Sequence, residues 1–509
     1  MKRAKQITAL SLSVALTAGM LAGCSQTSSQ SSGTASKSAP VKVVIAAESF
    51  NTIPNDLSKI DNALNKLLEK ENITVDLQLY GPADYATKTN LALESGTQLD
   101  LFLPQNFATA VSKKQALAMD DLLTQYGKAS KDILTKDFGT DALKSVTING
   151  HIYGLPVNRG QAVPLFFIYN SDMMKETGID PSSIKTVEDL PKVFDAVKAK
   201  NPNVTCMSPL NLNPCDSMIT YYLRYKNNID YLTDTTGTGV VVGSNGKVVD
   251  LYETDLFKNA ANLMRSWYQK GYFSKDVSTT TTDYASMFRS GKAFSTLGGY
   301  NWSAAAVGQL FQKMSGKNCG AVQLTNFYFD TSATQLAWVI PSTSKHPDAA
   351  MKLLNATMTD SAVLNTILYG IEGEDYVKVD SNHISFPKGK TESTVPYTAY
   401  LTGGQLGSES LQWMFEDGDA KEKELKVQLN KETPRSPYFG FTFDQSTVKT
   451  EMSAIQNVYN QYYSGLVCGS VDPATTIPKF VKALKDAGMD TVIQAKQEQL
   501  DKWVAEQKK

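Results

Sequence analysis

Hydrophobic and polar positions follow two alternating periods at the start of the folded region. Val41–Ile45 is an apolar run typical of a buried strand. Across Asp56–Lys70, leucine and isoleucine repeat at helical spacing, and residues 73–79 alternate as a second strand. A helix at about 84–94 and a buried strand at Leu99–Leu103 follow. This order of strand, helix, strand, helix and strand predicts an open α/β sheet.

Loops that follow the strands of such a sheet are candidate binding positions, because ligands lie beyond the carboxyl ends of the strands. Two of these loops place an aromatic ring beside an amide, a combination suited to a polyhydroxylated ligand. Phe50 and Asn51 follow the first strand, and Asn106 and Phe107 follow the third. For Asn51, a helix cap is the alternative to ligand contact.

Residues 147–170 predict a passage of the chain between two hydrophobic cores. Asn149-Gly150 is a strong turn signal, because both residues accept positive φ. Farther along, Asn158, Arg159 and Gly160 separate a short β-type run from the apolar strand at 165–169. A polar break between two buried strands indicates a hinge crossing, with Arg159 at the lip of the gap between two lobes. An ordinary loop within one sheet is the alternative.

A second aromatic and amide cluster follows in the later part of the chain. Gly291-Lys292 predicts a turn into a strand that runs through Leu297, and Gly298-Gly299 predicts a sharp bend. Aromatic rings pack well on the apolar faces of sugar rings, and tryptophan offers the largest area. Core packing is the alternative for the tryptophan. The bend presents three candidate ligand contacts in succession: Tyr300, Asn301 and Trp302.

Size and charge exclude several classes of protein. A chain of 509 residues is too long for one hydrophobic core, so two or more compact units are expected. The formal net charge is −1, with 50 basic and 51 acidic residues, and this balance does not predict a nucleic-acid partner. Only three histidines are present, which argues against a histidine-based metal or catalytic centre. We predict no cofactor, no metal site and no catalytic residue.

The N-terminus has the pattern of a secretory leader. Met1–Lys5 is basic, Ile7–Ala22 is apolar and uncharged, and the segment ends Leu21-Ala22-Gly23-Cys24. This ending resembles the bacterial lipobox, which makes residues 1–23 a lipoprotein signal peptide and Cys24 the lipidated N-terminus. Loss of the three basic residues of the leader would change the net charge from −1 to −4.

Residues 24–40 predict a flexible tether, because small and polar residues bury too little apolar surface to offset the entropy of ordering. The mature protein is therefore expected at the outer face of the cytoplasmic membrane, held there by the lipid only. Farther along, Cys206 and Cys215 flank a loop rich in proline and asparagine and are candidates for a small-loop disulfide. Free buried thiols are the alternative.

Acidic residues in loops raise the possibility of an enzyme. Tyr369–Asp375 predicts a turn punctuated by glycine, and its Glu372 is a candidate contact near the cleft. A glycoside hydrolase needs two carboxylates set across the bond that it cleaves. Clustered acids in loops are usually solvated, and we find no nucleophile elbow, zinc-protease motif or phosphate loop, so we predict a protein that is not an enzyme. The candidate carboxylates are Glu372, Glu374, Asp375, Asp417 and Asp419.

Several motifs in a fixed order resemble one known family over most of residues 41–509. They are Asn149–Pro156 before an apolar strand that ends Tyr169-Asn170, Gly291–Leu297 before a bend and Trp302, and Ser344–Ala350. Together they are similar to the extracellular solute-binding proteins of ABC importers, in the group like the maltose-binding protein. Gly370–Gly373 and the tail from Phe439–Asp444 to Trp503 resemble the Gram-positive lipoprotein subgroup with a DUF3502 region.

The resemblance implies a two-lobed α/β fold of the periplasmic-binding-protein type (type II), with hinge crossings and a ligand cleft between the lobes. The first lobe is expected at 41–158 and 333–385. The second lobe is expected at 159–332 and 386–509, and its C-terminal DUF3502-like region at about 437–509.

The resemblance also implies contacts with the ligand. Arg159 lies where the first crossing places a polar contact, and Trp302 lies where the family often has a tryptophan that stacks on sugar. Asn106 and Phe107 occupy the cleft loop after the third strand. Trp338 and Trp413 are further candidates, and core packing is the alternative for Trp413, which is expected to come from the second lobe.

The implied function is capture of an oligosaccharide between the lobes by a lipid-anchored monomer, followed by delivery to the permease subunits of an ABC importer. The same fold binding a peptide or another small polar solute is the alternative. A binder that feeds a sensor rather than an importer is a third reading of the same sequence.

Overall fold

The computed structural model describes residues 39–49, 51, 53–208, 223–233, 236–280, 282, 284–329, 336–398, 405–416 and 418–507. The chain divides into two units, Met1–Ala39 and Pro40–Lys509. Cys24, Phe50, Cys215 and Asp417 were singled out from the sequence and lie outside the described residues. No helix in the described ranges combines the length and the apolar character needed to cross a membrane.

The strands are mostly short, and the longest open the chain. They are β1 Val41–Glu48, β2 Ile73–Tyr80, β3 Thr147–Ile148, β4 His151–Ile152, β5 Leu155–Pro156, β6 Leu165–Asn170, β7 Thr205–Met207, β8 Ile229–Asp230, β9 Val240–Val242, β10 Val248–Val249, β11 Ala293–Gly299, β12 Cys319–Gln323, β13 Ala337–Trp338, β14 Val377–Lys378, β15 His383–Ser385 and β16 Met414–Phe415.

Helices surround these strands, and the last three form the C-terminal region. The α-helices are α1 Ser58–Leu67, α2 Pro82–Ser95, α3 Phe107–Ser112, α4 Asp120–Tyr126, α5 Lys128–Phe138, α6 Ser171–Thr177, α7 Leu190–Lys200, α8 Asp255–Gln269, α9 Tyr284–Arg289, α10 Ala304–Ser315, α11 Pro347–Thr359, α12 Ser361–Tyr369, α13 Ala420–Glu432, α14 Lys449–Val467, α15 Pro473–Asp486 and α16 Met489–Gln507. Short 3-10 turns lie at Glu69–Glu71, Thr140–Val146, Pro181–Ser183, Val187–Asp189, Leu251–Glu253, Glu409–Leu411 and Gln445–Thr447.

The first sheet is built on a parallel pair. β1 and β2 align along their full length, from Val41 opposite Ile73 to Glu48 opposite Tyr80. The run at Leu99–Leu103 was predicted as a regular strand, but it makes only isolated bridges, such as Ile45 with Leu101. The cause is the buried Asp100 carboxylate, which accepts the backbone N–H of Val44 at 3.0 Å and takes the place of a backbone partner.

The chain forms two large hydrophobic cores. The first core includes β1, β2, α1, α11 and α12, and the second core includes β6, α7, α8 and the C-terminal helices. Val157 packs in the first core and Leu165 in the second, so the chain passes between the cores at the polar break predicted to be a crossing. Two further passages lie between Leu324 and Leu336 and between Phe415 and Tyr438.

One segment packs on a different core from the one expected. The sequence boundaries assign residues 386–509 to the second lobe, but Tyr397 and Leu406 are buried in the first core, and Trp413 packs against it. The reason is strand pairing: β16 lies parallel to β15, with Ile384 opposite Phe415, and this pairing holds the segment on the first core.

The sheet of the second core brings several loops to one end. Its strand order is β12-β6-β11-β7. At the end of β6 nearest the first crossing, Leu165 lies opposite Gly299, the last residue of β11. On the other side of β6, Phe166 lies opposite Gln323, the last residue of β12. The bend at Tyr300 and the first crossing therefore lie side by side.

The structure bears out one local turn signal and decides between two readings of a cysteine. Asn149 and Gly150 have φ values of 52° and 84°, as the predicted turn between β3 and β4 requires. Of the two readings left open for Cys206, a bridge to Cys215 or a free buried thiol, the structure has the free thiol. It is fully buried in the second core, and burial raises the pKa of Cys206 to about 12. Cys468 is disulfide-bonded.

A buried carboxyl in the second core should make stability depend on pH. Burial raises the pKa of Asp250 from 3.8 to about 6, and its Oδ2 has no hydrogen-bond partner within the described ranges. The folded state therefore binds this proton more tightly than the unfolded chain does. The free energy of unfolding should fall by about 2 kcal/mol as pH rises from about 4 to about 6, and stay level above that.

Urea unfolding of wild type and Asp250→Asn between pH 4 and pH 7 checks this prediction. The stability of the wild type relative to the variant should decrease across that interval, because the amide does not titrate. Asp501→Asn, at an exposed position of α16, is the matched control. If the stability of wild type and of Asp250→Asn depended on pH to the same extent, the raised pKa of Asp250 would not be the cause.

Candidate functional site

The first crossing, residues 158–161, has no regular strand partner along its length, so its backbone polar groups need other partners. The N–H of Gly160 donates to Glu409 Oε2 at 3.0 Å, and the N–H of Glu409 donates to the carbonyl of Asn158 at 2.7 Å. Asn430 serves two groups, because its side chain accepts the N–H of Gln161 and donates to the carbonyl of Arg159, both at 2.9 Å. The crossing is thus fixed by side chains from a distant part of the sequence.

Asn158 anchors the start of this crossing. Its side-chain amide donates to Asp137 Oδ2 at 2.8 Å and to Ser408 Oγ at 2.9 Å, and all three side chains are buried. Its backbone N–H donates to the carbonyl of Gly407 at 3.0 Å. Because its amide nitrogen donates two buried hydrogen bonds, Asn158 holds the crossing against the first core.

Helix α13, residues Ala420–Glu432, lies against the crossing, and we call it the linker helix. Lys426 forms an ion pair with Glu409, and their side chains are only 9% and 17% exposed. The helix also reaches the second core, because Glu422 accepts the N–H of Ser303 at 3.0 Å and its hydroxyl at 2.6 Å. The linker helix therefore contacts residues attached to both cores.

The cluster predicted at Tyr300–Trp302 contacts the crossing at Gly160, the residue after Arg159. The side-chain amide of Asn301 donates to the carbonyl of Gly160, and the Lys426 Nζ lies 5.1 Å from the centroid of the Trp302 ring. A Cβ atom at Gly160 would lie 2.7 Å from the Asn301 amide, so this close approach requires glycine. Tyr300 turns its ring edge toward Phe311, with centroids 5.7 Å apart.

A narrow crevice of about 20 Å³ opens between the crossing and the linker helix. Such a volume holds about one water molecule and no sugar ring. Burial lowers the pKa of Lys423, whose Nζ donates to the carbonyl of Gln412. The charged groups that line the crevice are Asp137, Arg159, Glu409, Lys423 and Lys426.

The three passages between the cores meet in a small aromatic cluster. Ala162 from the first passage, Phe329 from the second and Phe439 from the segment after the third are buried against one another. The guanidinium of Arg435 lies 5.7 Å from the Phe329 ring centroid and 5.0 Å from that of Phe439, and it donates to the carbonyl of Phe138 in the first core. This cluster holds together the three passages that join the two cores, and we call it the pivot cluster.

Other predicted contacts lie inside the first part of the fold instead. Asn106 caps helix α3 by accepting the N–H of Thr109 at 2.9 Å, and Phe107 is buried at 2% exposure. Trp338 is buried to the same extent in the first core, where its Nε1 donates to the carbonyl of Gln405 at 2.8 Å. In this conformation Phe107 and Trp338 expose no ring face to a cleft.

Asn51 does not cap a helix. The first helix begins at Ser58, with Leu57 in the capping position, so the cap alternative for Asn51 is wrong. The amide Nδ2 of Asn51 is buried and has no hydrogen-bond partner within the described ranges. A ligand contact by Asn51 stays a prediction.

Glu372 and Trp413 lie together on the surface of the first core. Lys378 forms an ion pair with Glu372 at 3.2 Å, and its Nζ lies 4.9 Å from the Trp413 ring centroid. Trp413 also packs against the ring of Tyr376, with centroids 5.2 Å apart. This pair is attached to the first core and is distinct from the cluster at the crossing.

The carboxylates considered for a hydrolase serve local structure. Glu374 forms an ion pair with Lys59. Asp375 is buried and accepts two backbone N–H groups at 2.8 and 2.9 Å, and Asp419 caps the linker helix. Three or more acidic, histidine or cysteine side chains do not gather into a metal-binding group anywhere in the described ranges.

Sequence reasoning missed the partners that organise the crossing. The partners lie more than 240 residues after Arg159 in the sequence; they are Glu409, Lys426 and Asn430. They reach the crossing because the chain returns to the hinge. The linker helix has many charged residues, and such a helix is normally predicted to be exposed to solvent. Lys426 and Asn430 are the buried residues of this helix. Their spacing of four residues, which puts them on one helix face, is the only sequence signal that this face contacts the crossing.

Removing the ammonium of Lys426 should destabilise the protein. Lys426→Met leaves the Glu409 carboxylate buried with fewer donors, so we expect a loss of about 3 kcal/mol in the free energy of unfolding. The double variant Lys426→Met with Glu409→Gln removes both charges and should recover part of that loss. Urea unfolding of the variants measures both effects.

Lys482→Met is the matched control, because its ion pair with Asp486 lies on the surface with side chains 75% and 65% exposed. That change should alter stability by about 0.5 kcal/mol or less. A similarly small effect of Lys426→Met would show that the pair at the crossing does not hold the hinge.

Comparison with known proteins identifies the family. Residues 62–370 match the family described as bacterial extracellular solute-binding protein. Residues 437–505 match DUF3502, a domain of unknown function, as the resemblance of the tail implied. A protein of Streptococcus pneumoniae serotype 4, described as a carbohydrate ABC transporter substrate-binding protein, is 28% identical, and the alignment covers 100% of both chains.

Solved structures agree with this assignment. The N-glycan transport solute binding protein NgtS from Streptococcus pneumoniae has a TM-score of 0.75 and 25% identity, over 91% of this chain and 99% of that chain. Its complex with Man5GlcNAc gives a TM-score of 0.71 and 26% identity, over 92% and 99%. The predicted two-lobed α/β fold is confirmed. Because the family match spans more than half of the chain, this protein belongs to the bacterial extracellular solute-binding proteins.

Proposed function

We propose that this protein captures an oligosaccharide between its two lobes and delivers it to the permease subunits of an ABC importer. The observation that carries the proposal is the contact of Asn301, which precedes Trp302, with the first crossing at Gly160, the residue after Arg159. Arg159 lies in the crossing, and Asn301 and Trp302 follow the end of β11. A ligand held between these two places would touch groups attached to both cores. Guanidinium, amide and indole groups suit the hydroxyls and apolar faces of sugars.

The class of ligand is supported by the relatives. The Streptococcus pneumoniae relative is named for carbohydrate transport, and NgtS is described in complexes with Man1GlcNAc and Man5GlcNAc. Identity of 25–28% across nearly the whole length favours the same broad class for this chain. A peptide or another small polar solute is the alternative ligand. Binding measurements with a panel of ligands distinguish it from an oligosaccharide.

Capture follows from the geometry of the hinge. Here the crevice at the crossing has room for water only, so entry of a sugar requires the linker helix to separate from Trp302. The pivot cluster of Ala162, Phe329 and Phe439 lets the cores rotate while the three passages stay joined. A ligand that contacts both cores shifts the equilibrium between the open and closed forms toward the closed form.

Trp302→Ala should weaken binding of the preferred glycan by about 1–3 kcal/mol, because the indole loses its stacking contact. Titration calorimetry of the protein with a panel of oligosaccharides, amino acids and short peptides finds the ligand class and measures the change. Trp503→Ala is the matched control, because Trp503 is half-buried against Phe441 in the C-terminal helix.

Three outcomes would count against the proposal. Unchanged affinity in a folded Trp302→Ala protein would remove Trp302 from the site. Binding of peptides with silence across the sugars would keep the fold and overturn the ligand class. Recovery of the glycan in cleaved form would favour a two-carboxylate enzyme instead.

The lipid anchor belongs to the proposal as well. The leader and the sequence Leu21-Ala22-Gly23-Cys24 support acylation of Cys24, which would hold the protein on the outer face of the cytoplasmic membrane as a monomer. Cys24→Ser should move the protein from the membrane fraction to the medium, because no lipid is attached. Fractionation of cells that express each form checks this. Retention of Cys24→Ser in the membrane fraction would contradict lipid anchoring at this residue.

A further inference from the structure

The part of the chain that matches DUF3502, residues 437–505, is attached to the second core by its apolar side chains, and we call it the DUF3502 region. Beyond Phe439 of the pivot cluster, its buried apolar side chains belong to the same large cluster as β6, α7 and α8. Examples are Phe441, Phe480 and Leu500. Since these apolar contacts are made with one core, the DUF3502 region moves with the second core when the two cores rotate.

The DUF3502 region also contacts the first core, and these contacts are polar. Thr442 Oγ1 donates to the carbonyl of Ser145 at 2.7 Å, and both residues are buried. Ser145 belongs to the 3-10 turn at 140–146, which packs on the first core. Lys449 Nζ donates to the carbonyl of Ser112 at 3.0 Å, at the end of helix α3. Side chains of the region thus hold two backbone carbonyls of the other lobe.

Two longer contacts lie along the same boundary. The side-chain amide of Asn149, in the turn between β3 and β4, donates to Asp444 Oδ2 at 3.4 Å. Thr109, on α3, donates through its hydroxyl to Gln445 Oε1 at 3.5 Å. The stretch 442–449 therefore carries four hydrogen bonds to the first core, from residues that are close together in the sequence.

These hydrogen bonds lie off the pivot, which consists of Ala162, Phe329 and Phe439. Rotation of the cores about the pivot changes the separation of groups that lie off it, and a hydrogen bond is lost beyond about 3.5 Å. Water replaces a lost partner at such a polar boundary, so each bond contributes only a modest net free energy. The boundary can therefore open and close reversibly, as polar contacts between domains do.

The contacts of the DUF3502 region are separate from the candidate ligand site. The crevice at the crossing is lined by residues between 137 and 430, all of which precede the DUF3502 region. In the arrangement of the cores that forms the four hydrogen bonds, this crevice has room for water and for no sugar ring. Contacts that stabilise an arrangement unable to accept the ligand lower the apparent affinity, because fewer molecules are competent to bind.

We propose that the DUF3502 region is a latch between the lobes. Its hydrogen bonds to the first core stabilise the ligand-free arrangement, and they set the fraction of molecules that accepts a glycan. The region thus has a role that needs no contact with the ligand. The effect of the latch on affinity rests on the proposed function, whereas its effect on the shape of the ligand-free protein does not.

Thr442→Val combined with Lys449→Met removes two donors of the latch and leaves the side chains that line the crevice unchanged. Small-angle X-ray scattering gives the radius of gyration of the ligand-free proteins, and titration calorimetry gives the affinity for Man5GlcNAc. The radius of gyration of the double variant should move from that of ligand-free wild type toward that of wild type with Man5GlcNAc. Its affinity for Man5GlcNAc should rise by about 3- to 10-fold, because more molecules are competent to bind.

Thr475→Val combined with Lys482→Met is the matched control, since it makes the same two substitutions within the same region. Thr475 donates to the carbonyl of Asp472 and Lys482 pairs with Asp486, so both of these contacts stay inside the DUF3502 region. The control should match wild type in radius of gyration and in affinity. Lys449→Met alone changes only an exposed side chain, and it should shift both quantities in the same direction as the double variant but by less.

The outcomes separate the latch from the proposed function. If wild type binds Man5GlcNAc and the affinity of the double variant is unchanged or lower, the latch is overturned and the proposed function stands. Equal shifts in the control would also overturn the latch. If wild type does not bind Man5GlcNAc, the result counts against the proposed ligand class, and scattering of the ligand-free proteins decides the latch. Equal radii of gyration of wild type and the double variant would then overturn it, and a difference that the control lacks would support it.

Discussion

The structure depends on how the first crossing satisfies its backbone. Residues 158–161 leave one core and enter the other without regular sheet pairing, and unpaired buried amide and carbonyl groups are costly. Glu409, in the segment before the third passage, is the partner of Gly160. Asn430, on the linker helix, is the partner of Gln161 and Arg159. Since the linker helix carries Asn430 and is held by the Lys426 ion pair, the two cores, the linker helix and the candidate site form one coupled system.

Much of the fold follows from local pattern. The period of β1, α1 and β2, the positive-φ turn at Asn149-Gly150 and the polar break before Leu165 depend on residues close in sequence, and the structure shows each of them. Two features depend on distant residues and were missed. The run at Leu99–Leu103 pairs irregularly because a buried carboxylate occupies its ladder, and residues 397–415 return to the first core through the pairing of β16 with β15.

The candidate site was predicted in part, for the same reason. Arg159, Asn301 and Trp302 carry visible signals, namely a polar break and an aromatic and amide cluster after a Gly-Gly bend, and Asn301 contacts the crossing at Gly160, next to Arg159. Phe107 lies in an aromatic and amide pair as well, and Trp338 was a further candidate, yet both are buried, since composition alone does not say which face of an element is covered.

The most direct test of the account is amide hydrogen exchange of the protein with and without its glycan. If the ligand is held between the two cores at the hinge, exchange should slow in residues 158–162 and 300–303 and also in segments of the first core that face them. The helices of the C-terminal region, 449–507, should change little. Protection confined to one core, or concentrated in the C-terminal helices, would contradict capture between the lobes.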